Sequence, residues 1–274
     1  MSGAKGGPGL IGRIRIALAF IGVVLVTLAL LPIHLVCLWL NLAAWRRIPR
    51  LWHRAVCALL GIRIRVHGQL DPRRPLMLAS NHVSWKDIMV LGSLADVVFI
   101  AKAEVRDWPI FGTLARLQRS IFVRRDEPRK TGNQVNEIAK RLAGGEVVVL
   151  FPEGTTSDGN RLKDIKSSLF GAAASAVPYS PNGHVYVQPV TIAYTGVHGM
   201  PMGRFHRPIA AWPGDIELMP HLGGLLRAGA IEVDVSFGET VTFDAESNRK
   251  RQSALIEGRI RQMLEDSLQG RLPR

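Results

Sequence analysis

The distribution of apolar residues divides the chain into two parts. Between Ile16 and Trp45 the sequence contains no Asp, Glu, Lys or Arg. As one helix this stretch would extend about 45 Å, which exceeds a hydrocarbon core of about 30 Å. It is also longer than the core of a signal peptide, about 7–15 residues. Because Pro32 lies near its middle, we predict for residues 1–55 a retained membrane segment, either a helical hairpin broken at Pro32 or a single tilted span.

The hairpin has the better support because basic residues flank the apolar stretch on both sides. They are Lys5, Arg13 and Arg15 before it, and Arg46, Arg47, Arg50 and Arg54 after it. Basic flanks favour the cytoplasmic side of a membrane. A hairpin would keep both flanks there, whereas a single span would place one of them outside.

Residues 56–274 show a different pattern, in which short apolar runs alternate with helical spacing. The predicted strands are "LMLAS", "VVFIA", "SIFV", "EVVVLF", "VYVQPVTIAY" and "AIEVDVSF". "NQVNEIAKRLAGG" is a helix that stops at Gly144, and "SNRKRQSALIEGRIRQMLEDSLQ" is a terminal amphipathic helix. "MGRFHRPIAAWPGDIELMPHL" is rich in Pro and Gly and predicts a long irregular connection. We therefore expect one α/β catalytic domain with a mixed, largely parallel sheet flanked by helices.

Composition narrows the range of partners. The 274 residues are 47% hydrophobic and carry a formal charge of +13, so an anionic partner such as nucleic acid, an anionic bilayer or an acidic carrier protein is expected. Aromatic residues make up only 7% of the chain, which argues against nucleic acid. The two cysteines, Cys37 and Cys57, give neither a disulfide framework nor the spacing of a metal site, and we predict no metal or cofactor.

The stretch "NHVSWKD" contains the first candidate chemistry. His82 and Asp87 are five positions apart, so on one helix their side chains would point about 140° away from each other. "SWKD" has the form of a helix start, with Ser84 as cap and Asp87 in the first turn, which leaves His82 in the preceding loop. A carboxylate that accepts the Nδ1 proton would leave Nε2 free to act as a base. No nucleophile of the enzyme lies nearby, so the substrate would have to supply it.

Two more predicted strands end in polar residues. "EVVVLF" is followed by Pro152 and then by Glu153, Gly154, Thr155 and Thr156, and "VVFIA" is followed by Lys102. Open α/β sheets bind their ligands beyond the carboxyl ends of the strands. We therefore predict that these residues lie near His82.

The blocks "NHVSWKD", "AKAEVRDWPIFG", "FPEGTTS" and "VQPV", in this order, resemble those of the glycerolipid acyltransferases, a family that includes lysophosphatidate acyltransferases. The resemblance implies that His82 is the general base, that Asp87 orients it, and that a lipid hydroxyl attacks a fatty acyl thioester. It also implies substrate binding by Glu153, Gly154, Thr155 and Thr156. The donor would be a thioester of acyl carrier protein or of coenzyme A, at the cytoplasmic face of a bacterial inner membrane.

One position departs from the family pattern. Thr156 stands where phosphate-accepting members have an arginine, and a guanidinium is the better phosphate partner. Lys102, Arg124 or Arg125 could compensate. "FPEGTTSDGNRLKDIKSSLFGAA" and "VQPVTIAYTGVHGMPMGR" look more like bacterial acyltransferases that convert lyso-ornithine lipid to ornithine lipid. The resemblance therefore implies lyso-ornithine lipid as the acceptor, with lysophosphatidate as the alternative.

Other classes of protein fit less well. A serine hydrolase would need a G-x-S-x-G turn, and "GTTSDG" has its serine one position late. A membrane scaffold without activity would need the apolar segment but not His82, Asp87 and Glu153 at strand ends.

Overall fold

The computed structural model describes residues 10–124, 131–213 and 229–272. The helices are α1 (Leu10–Trp39), α2 (Arg47–Leu59), α3 (Lys86–Leu94), α4 (Phe111–Leu117), α5 (Thr131–Ala143), α6 (Gly171–Ala176) and α7 (Arg249–Leu268). The strands are β1 (Ile62–His67), β2 (Leu76–Ser80), β3 (Val97–Lys102), β4 (Ile121–Val123), β5 (Val147–Leu150), β6 (Val185–Val197), β7 (Met200–Pro201), β8 (Ile231–Phe237) and β9 (Val241–Phe243). Each of the six apolar runs forms a strand.

The strands form one sheet in the order β1-β8-β6-β2-β5-β3-β4, and β7 and β9 pair with β6 beyond this path. The pairs β6–β2, β2–β5, β5–β3 and β3–β4 are parallel, whereas β6 pairs with β8 in the antiparallel sense. This confirms the predicted mixed, largely parallel sheet flanked by helices. The parallel pairing places the carboxyl ends of β2, β3 and β5 at the same edge.

The core lies on both faces of the sheet. Along β2 the side chains alternate, so Leu78 packs with Val56 of α2 and Val90 of α3, whereas Met77 packs on the other face with Ile256 of α7. Burial of one such aliphatic side chain contributes about 1.5–3 kcal/mol. Since β2 is buried on both faces, its end is held rigidly, and the residues that follow it begin from a fixed point.

The helical hairpin predicted for the apolar segment is wrong, because α1 is one helix that continues through Pro32 to Trp39. The chain turns only at Asn41, which has a φ of 50°. The N–H of Leu42 donates to the carbonyl of Cys37, and the N–H of Asn41 donates to the carbonyl of Leu38. These two bonds form a Schellman motif. The motif ends the helix and satisfies its last carbonyls. A break at Pro32 would instead have left the carbonyls of the preceding turn without partners in an apolar stretch.

Helix α1 contacts the rest of the protein along its length. The Arg15 side chain lies against Gly229, and Gly22 lies against Leu59. Further along, the indole N–H of Trp52 in α2 donates to Thr27 Oγ1 over 2.9 Å, and His34 Nε2 donates to the carbonyl of Leu117 over 2.9 Å. Helix α2 runs across residue 55, and the division of the chain at that residue stays a prediction.

The predicted irregular connection is seen for residues 202–213, which contain one 3-10 turn at Arg207–Ile209; its remainder lies outside the described residues. Helix α5 ends as predicted beside Gly144, although Gly145 is the residue with the left-handed φ of 81°. The N–H of Glu146 bonds back to the carbonyl of Arg141, so glycine is needed one position later than the sequence pattern indicated.

Candidate active site

His82 and Asp87 meet at the carboxyl end of β2. His82 lies in the loop after the strand, and Asp87 lies in the first turn of α3. The distance from His82 Nδ1 to Asp87 Oδ2 is 2.8 Å. The same carboxylate oxygen accepts the backbone N–H groups of Val83 at 2.7 Å and Ser84 at 2.9 Å. The carboxylate therefore points back into the loop, as predicted.

The predicted cap at Ser84 is wrong. The residue before the helix is Trp85, and no side chain caps it. Asp87 performs the capping function in the reverse direction, because its carboxylate accepts the free N–H groups of the loop rather than those of the first helical turn. A carboxylate that accepts three donors on one oxygen fixes the imidazole with a proton on Nδ1, so Nε2 is the nitrogen that can act as a base in the neutral ring.

The second oxygen of Asp87 is held by Tyr194 in β6. The Tyr194 hydroxyl donates to Asp87 Oδ1 over 2.8 Å. The tyrosine is fully buried, and burial together with the Asp87 charge raises the pKa of its hydroxyl well above the usual value, so it remains a donor at every physiological pH. Both oxygens of Asp87 are therefore fixed, and rotation of the carboxylate would break bonds at each of them.

A buried lysine lies on the other side of the tyrosine ring. Lys86 Nζ is 4.7 Å from the ring centroid and donates to the carbonyl of Ala210 over 2.7 Å. Burial lowers the pKa of Lys86 to about 7, although the nearby charge of Asp87 opposes this shift. This hydrogen bond holds the irregular connection, which contains Ala210, beside His82 and Asp87.

Glu153 supports the loop rather than facing the cavity. It is 2% exposed; its Oε1 accepts the backbone N–H of His82 at 2.6 Å and its Oε2 accepts that of Lys163 at 2.8 Å. Burial raises the pKa of Glu153 to about 7. The carboxyl group therefore fixes the position of the His82 backbone, and its two oxygens are both occupied.

Two further residues fix the histidine. The ring of Phe151, directly after β5, stacks on the His82 ring with 4.0 Å between centroids and 15° between planes. Asn81 bonds the backbone of Ile192 with both ends of its amide, donating over 2.9 Å and accepting over 2.7 Å. The imidazole is thus held by Asp87 at its edge and by Phe151 on its face, and Asn81 fixes the backbone beside it.

A cavity of about 530 Å³ lies beside the dyad. His82 lines it together with Lys102, Gly154, Thr155 and Thr156, and aromatic and aliphatic side chains form most of the remaining wall, including Trp85, Phe99, Trp108, Phe111, Phe151 and Trp212. Such a wall suits a hydrocarbon chain. The arrangement offers a base, a few polar groups at one end and an apolar space at the other.

A family model described as Acyltransferase matches residues 63–193. The lyso-ornithine lipid O-acyltransferase of Rhizobium meliloti is 66% identical over 262 residues, which cover 96% of this chain and 90% of that protein. The protein of the same name from Brucella abortus is 52% identical over 96% of this chain and 98% of its own length.

The chain belongs to the acyltransferase family.

More distant relatives include a 1-acyl-sn-glycerol-3-phosphate acyltransferase of Neisseria meningitidis, 34% identical over 45% of this chain and 49% of that protein. The crystal structure of the 1-acyl-sn-glycerophosphate acyltransferase of Thermotoga maritima matches with a TM-score of 0.60 and 21% identity, over 93% of this chain and all of that one. That structure supports the fold of this acyltransferase.

The predicted binding residues of the acyltransferase occupy different environments. Thr156 is buried and Thr155 is exposed, while Gly154 makes the turn after β5 with a φ of 74°. Lys102 is half exposed and pairs with Glu104 over 3.1 Å. Arg125 lies outside the described residues. Substrate binding by these residues stays a prediction. Glu153 differs from the others because both of its carboxylate oxygens accept backbone N–H groups.

Sequence reasoning missed three residues of this acyltransferase site, Asn81, Tyr194 and Lys86. Asn81 stands next to His82, but its partner Ile192 is 111 positions away. Tyr194 belongs to an apolar strand and has no local mark of a polar role. A lysine in the first turn of a helix is ordinarily exposed, and only its complete burial here reveals that it has a partner.

Proposed function

We propose that the protein transfers a fatty acyl chain from an acyl thioester to the free hydroxyl of lyso-ornithine lipid, which yields ornithine lipid. The observation that carries this proposal is the 2.8 Å contact between His82 and Asp87 at the wall of the apolar cavity. The choice of acceptor follows the names of the relatives from Rhizobium meliloti and Brucella abortus.

In the proposed reaction His82 Nε2 removes the proton of the acceptor hydroxyl as its oxygen attacks the thioester carbonyl. The Nδ1–H bond to Asp87 stabilises the imidazolium that forms, and the thiolate then leaves with a proton from His82. The acyl oxygen bears negative charge in the transition state, so donors are needed there. The backbone N–H of Gly154 already donates to the carbonyl of Phe151, so Thr155, which lines the same cavity, is our candidate for supplying them.

For the donor we favour a thioester of acyl carrier protein over one of coenzyme A. The chain carries a formal charge of +13, and a basic surface raises the rate of encounter with an acidic protein. Because this steering is screened by salt, kcat/KM for the carrier-protein thioester should fall as ionic strength rises.

For the location we propose the inner face of a bacterial cytoplasmic membrane. Gly12–Trp39 is the one helix of the described chain that is long and apolar enough to cross a membrane. Large apolar side chains on α1 are exposed, including Leu28 at 62% and Trp39 at 83%, and exposed apolar surfaces of this size mark membrane or partner contacts. Because α1 contacts the catalytic domain from Arg15 to His34, we place it along the membrane face of the domain, with both basic flanks in the cytoplasm.

Phosphatidate synthesis from lysophosphatidate is the second candidate activity, supported by the relative from Neisseria meningitidis. The test offers the purified full-length enzyme lyso-ornithine lipid and lysophosphatidate in the same detergent, each with both donors. We expect a higher kcat/KM for lyso-ornithine lipid. Transfer to lysophosphatidate alone would overturn the proposed acceptor while leaving the acyl-transfer mechanism in place.

The location has its own test. Single cysteines placed at Arg13 and Arg46 in a variant without Cys37 and Cys57 should both react with an impermeant maleimide in inside-out vesicles. Reaction of only one of them would mean that α1 crosses the bilayer.

A further inference from the structure

A second apolar cavity adjoins the catalytic one. Its volume is about 390 Å³, and it lies between α1, α2 and α4. The two cavities share four wall residues, namely Trp52, His53, Leu114 and Gln118. Only the larger cavity includes His82, so the smaller one has no part in the acyl-transfer chemistry described above. We call the smaller one the α1 cleft.

The walls of the α1 cleft suit a hydrocarbon chain. Leu30 and Leu31 of α1, Ile48 of α2 and Leu117 of α4 are among its lining residues, and its volume falls in the range of about 300–1,000 Å³ that small-molecule sites occupy. Since α1 forms one of its walls, a chain could enter it from the same surface that exposes the apolar side chains of α1.

The wall that the α1 cleft shares with the catalytic cavity carries no charge. His53 Nε2 donates to Gln118 Oε1 over 3.1 Å, and burial lowers the pKa of His53 to about 4, so its ring is neutral at physiological pH. The indole of Trp52 is bonded to Thr27. The shared wall between the two cavities is therefore fixed in position and electrically neutral.

The chemistry of the proposed reaction requires two separate apolar spaces. The donor brings a hydrocarbon tail on its carbonyl carbon. The acceptor hydroxyl of lyso-ornithine lipid belongs to a fatty chain, so a second tail begins at the carbon that bears the attacking oxygen. When that oxygen meets the carbonyl beside His82, the two tails diverge from neighbouring atoms, and one cavity beside the base can house only one of them in a fixed orientation.

We propose that the α1 cleft binds the hydrocarbon tail of the lysolipid acceptor, while the catalytic cavity receives the acyl chain of the donor. This inference rests on the proposed function for the identity of the acceptor. The acceptor tail then lies on the side formed by α1, which faces the bilayer in our proposal. The mouth of the catalytic cavity at Lys102 and Thr155 remains for the donor thioester.

The test varies the two tails independently in the full-length enzyme. Leu31→Trp fills the cleft, and Leu28→Trp on an exposed position of the same helix is the matched control. With one fixed donor, Leu31→Trp should lower kcat/KM for the longest lyso-ornithine lipids about tenfold relative to the shortest, since that factor corresponds to the loss of about two buried CH₂ groups at about 0.8 kcal/mol each. With one fixed acceptor, the dependence on donor chain length should equal that of the wild type. Leu31→Ala should extend the preference toward longer acceptors, and it keeps the test available if the tryptophan variant does not fold.

A change in donor preference in these variants would assign the cleft to the donor and overturn the proposal. Unchanged preferences for both tails would mean that ordinary bilayer lipid fills the cleft, which also overturns it. If the wild type acylates only lysophosphatidate, the proposed acceptor is wrong, but the same series made with lysophosphatidates of different chain length still decides where the acceptor tail lies.

Discussion

The sheet edge at the active site has two kinds of strand end. After β2 and β5 the carboxylates are buried and bonded to fixed partners, as with Asp87 and its four donors. After β3, Lys102 is 53% exposed and pairs only with an equally exposed Glu104 among the contacts described. The difference fits the proposed roles, because a reacting group must be preorganised, whereas a group that meets an incoming substrate must stay accessible.

The largest effect is expected at the buried end. His82→Ala removes the base, and Asp87→Asn replaces an acceptor that fixes the tautomer, so each should lower kcat by about 10² to 10⁴-fold. Single-turnover acyl transfer with purified variants is the measurement, and circular dichroism checks that they fold. Wild-type turnover by folded His82→Ala protein would remove His82 from the mechanism.

Glu153→Gln tests whether an ionisable group holds the loop that carries His82. The pKa of Glu153 is raised from 4.5 to about 7 in the folded protein, so its folded state retains a proton that the unfolded state has lost. Its contribution to stability is therefore greatest below pH 4.5 and falls as pH rises to about 7, by roughly 3 kcal/mol at about 1.4 kcal/mol per pKa unit.

Glutamine cannot ionise, so this pH dependence should be absent from the variant. The difference in unfolding free energy between wild type and Glu153→Gln, measured from pH 4.5 to 7.5, isolates it from the titration of Lys86. Glu246→Gln at an exposed position is the control. Parallel stability curves for wild type and Glu153→Gln would contradict the expected shift.

Thr156→Arg tests whether the cavity wall at Thr156 reads the acceptor head group. A guanidinium here would supply a bidentate phosphate partner, and a charge-assisted hydrogen bond is worth about 1.5–3 kcal/mol. The ratio of kcat/KM for lysophosphatidate to that for lyso-ornithine lipid should therefore rise by about 10- to 150-fold. Thr156 is buried, so the longer side chain must extend into the cavity that it lines. An unchanged ratio in an active variant would direct attention to Lys102 and Arg125.

Tyr194→Phe should have the smallest of these effects. Loss of the hydroxyl removes the only side-chain donor described for Asp87 Oδ1, so the carboxylate can rotate away from the position in which it orients His82. We expect kcat to fall about tenfold, since one bond to a charged group is lost, and KM to stay unchanged. Tyr186→Phe, on the same strand and away from Asp87, is the matched control. A kcat equal to that of the wild type would mean that Tyr194 has only a packing role.

Much of this architecture could be predicted from local sequence patterns. Runs such as "LMLAS" identify strands buried on both faces, and the five-residue spacing of His82 and Asp87 indicates a loop followed by a helix start. Strand β1 was missed because "IRIRVH" carries arginines, one of which, Arg65, is paired with Asp234 of β8 over 2.6 Å. That pairing joins residues 169 positions apart, and no local pattern contains it.

Two local predictions were wrong for physical reasons that the sequence does not display. Pro32 removes one hydrogen bond from α1, but a break there would expose several more backbone groups, so the helix continues to the turn at Asn41. Ser84 has the spacing of a cap, yet α3 begins only after Trp85, and the Ser84 hydroxyl is buried without a hydrogen-bond partner among the described residues.

The hydrogen bonds that hold the active-site loop join it to residues that are synthesised much later. The loop at Asn81–Asp87 is synthesised before its hydrogen-bond partners. Glu153 lies 71 positions after His82, and Tyr194 lies 107 positions after Asp87. Trp212, whose N–H donates to the carbonyl of Val83, emerges later still. The apolar helix α1 leaves the ribosome before any of them. Because the chain is made from its N-terminus, the active-site loop can be complete only after β6 and the connection to Trp212 have been synthesised.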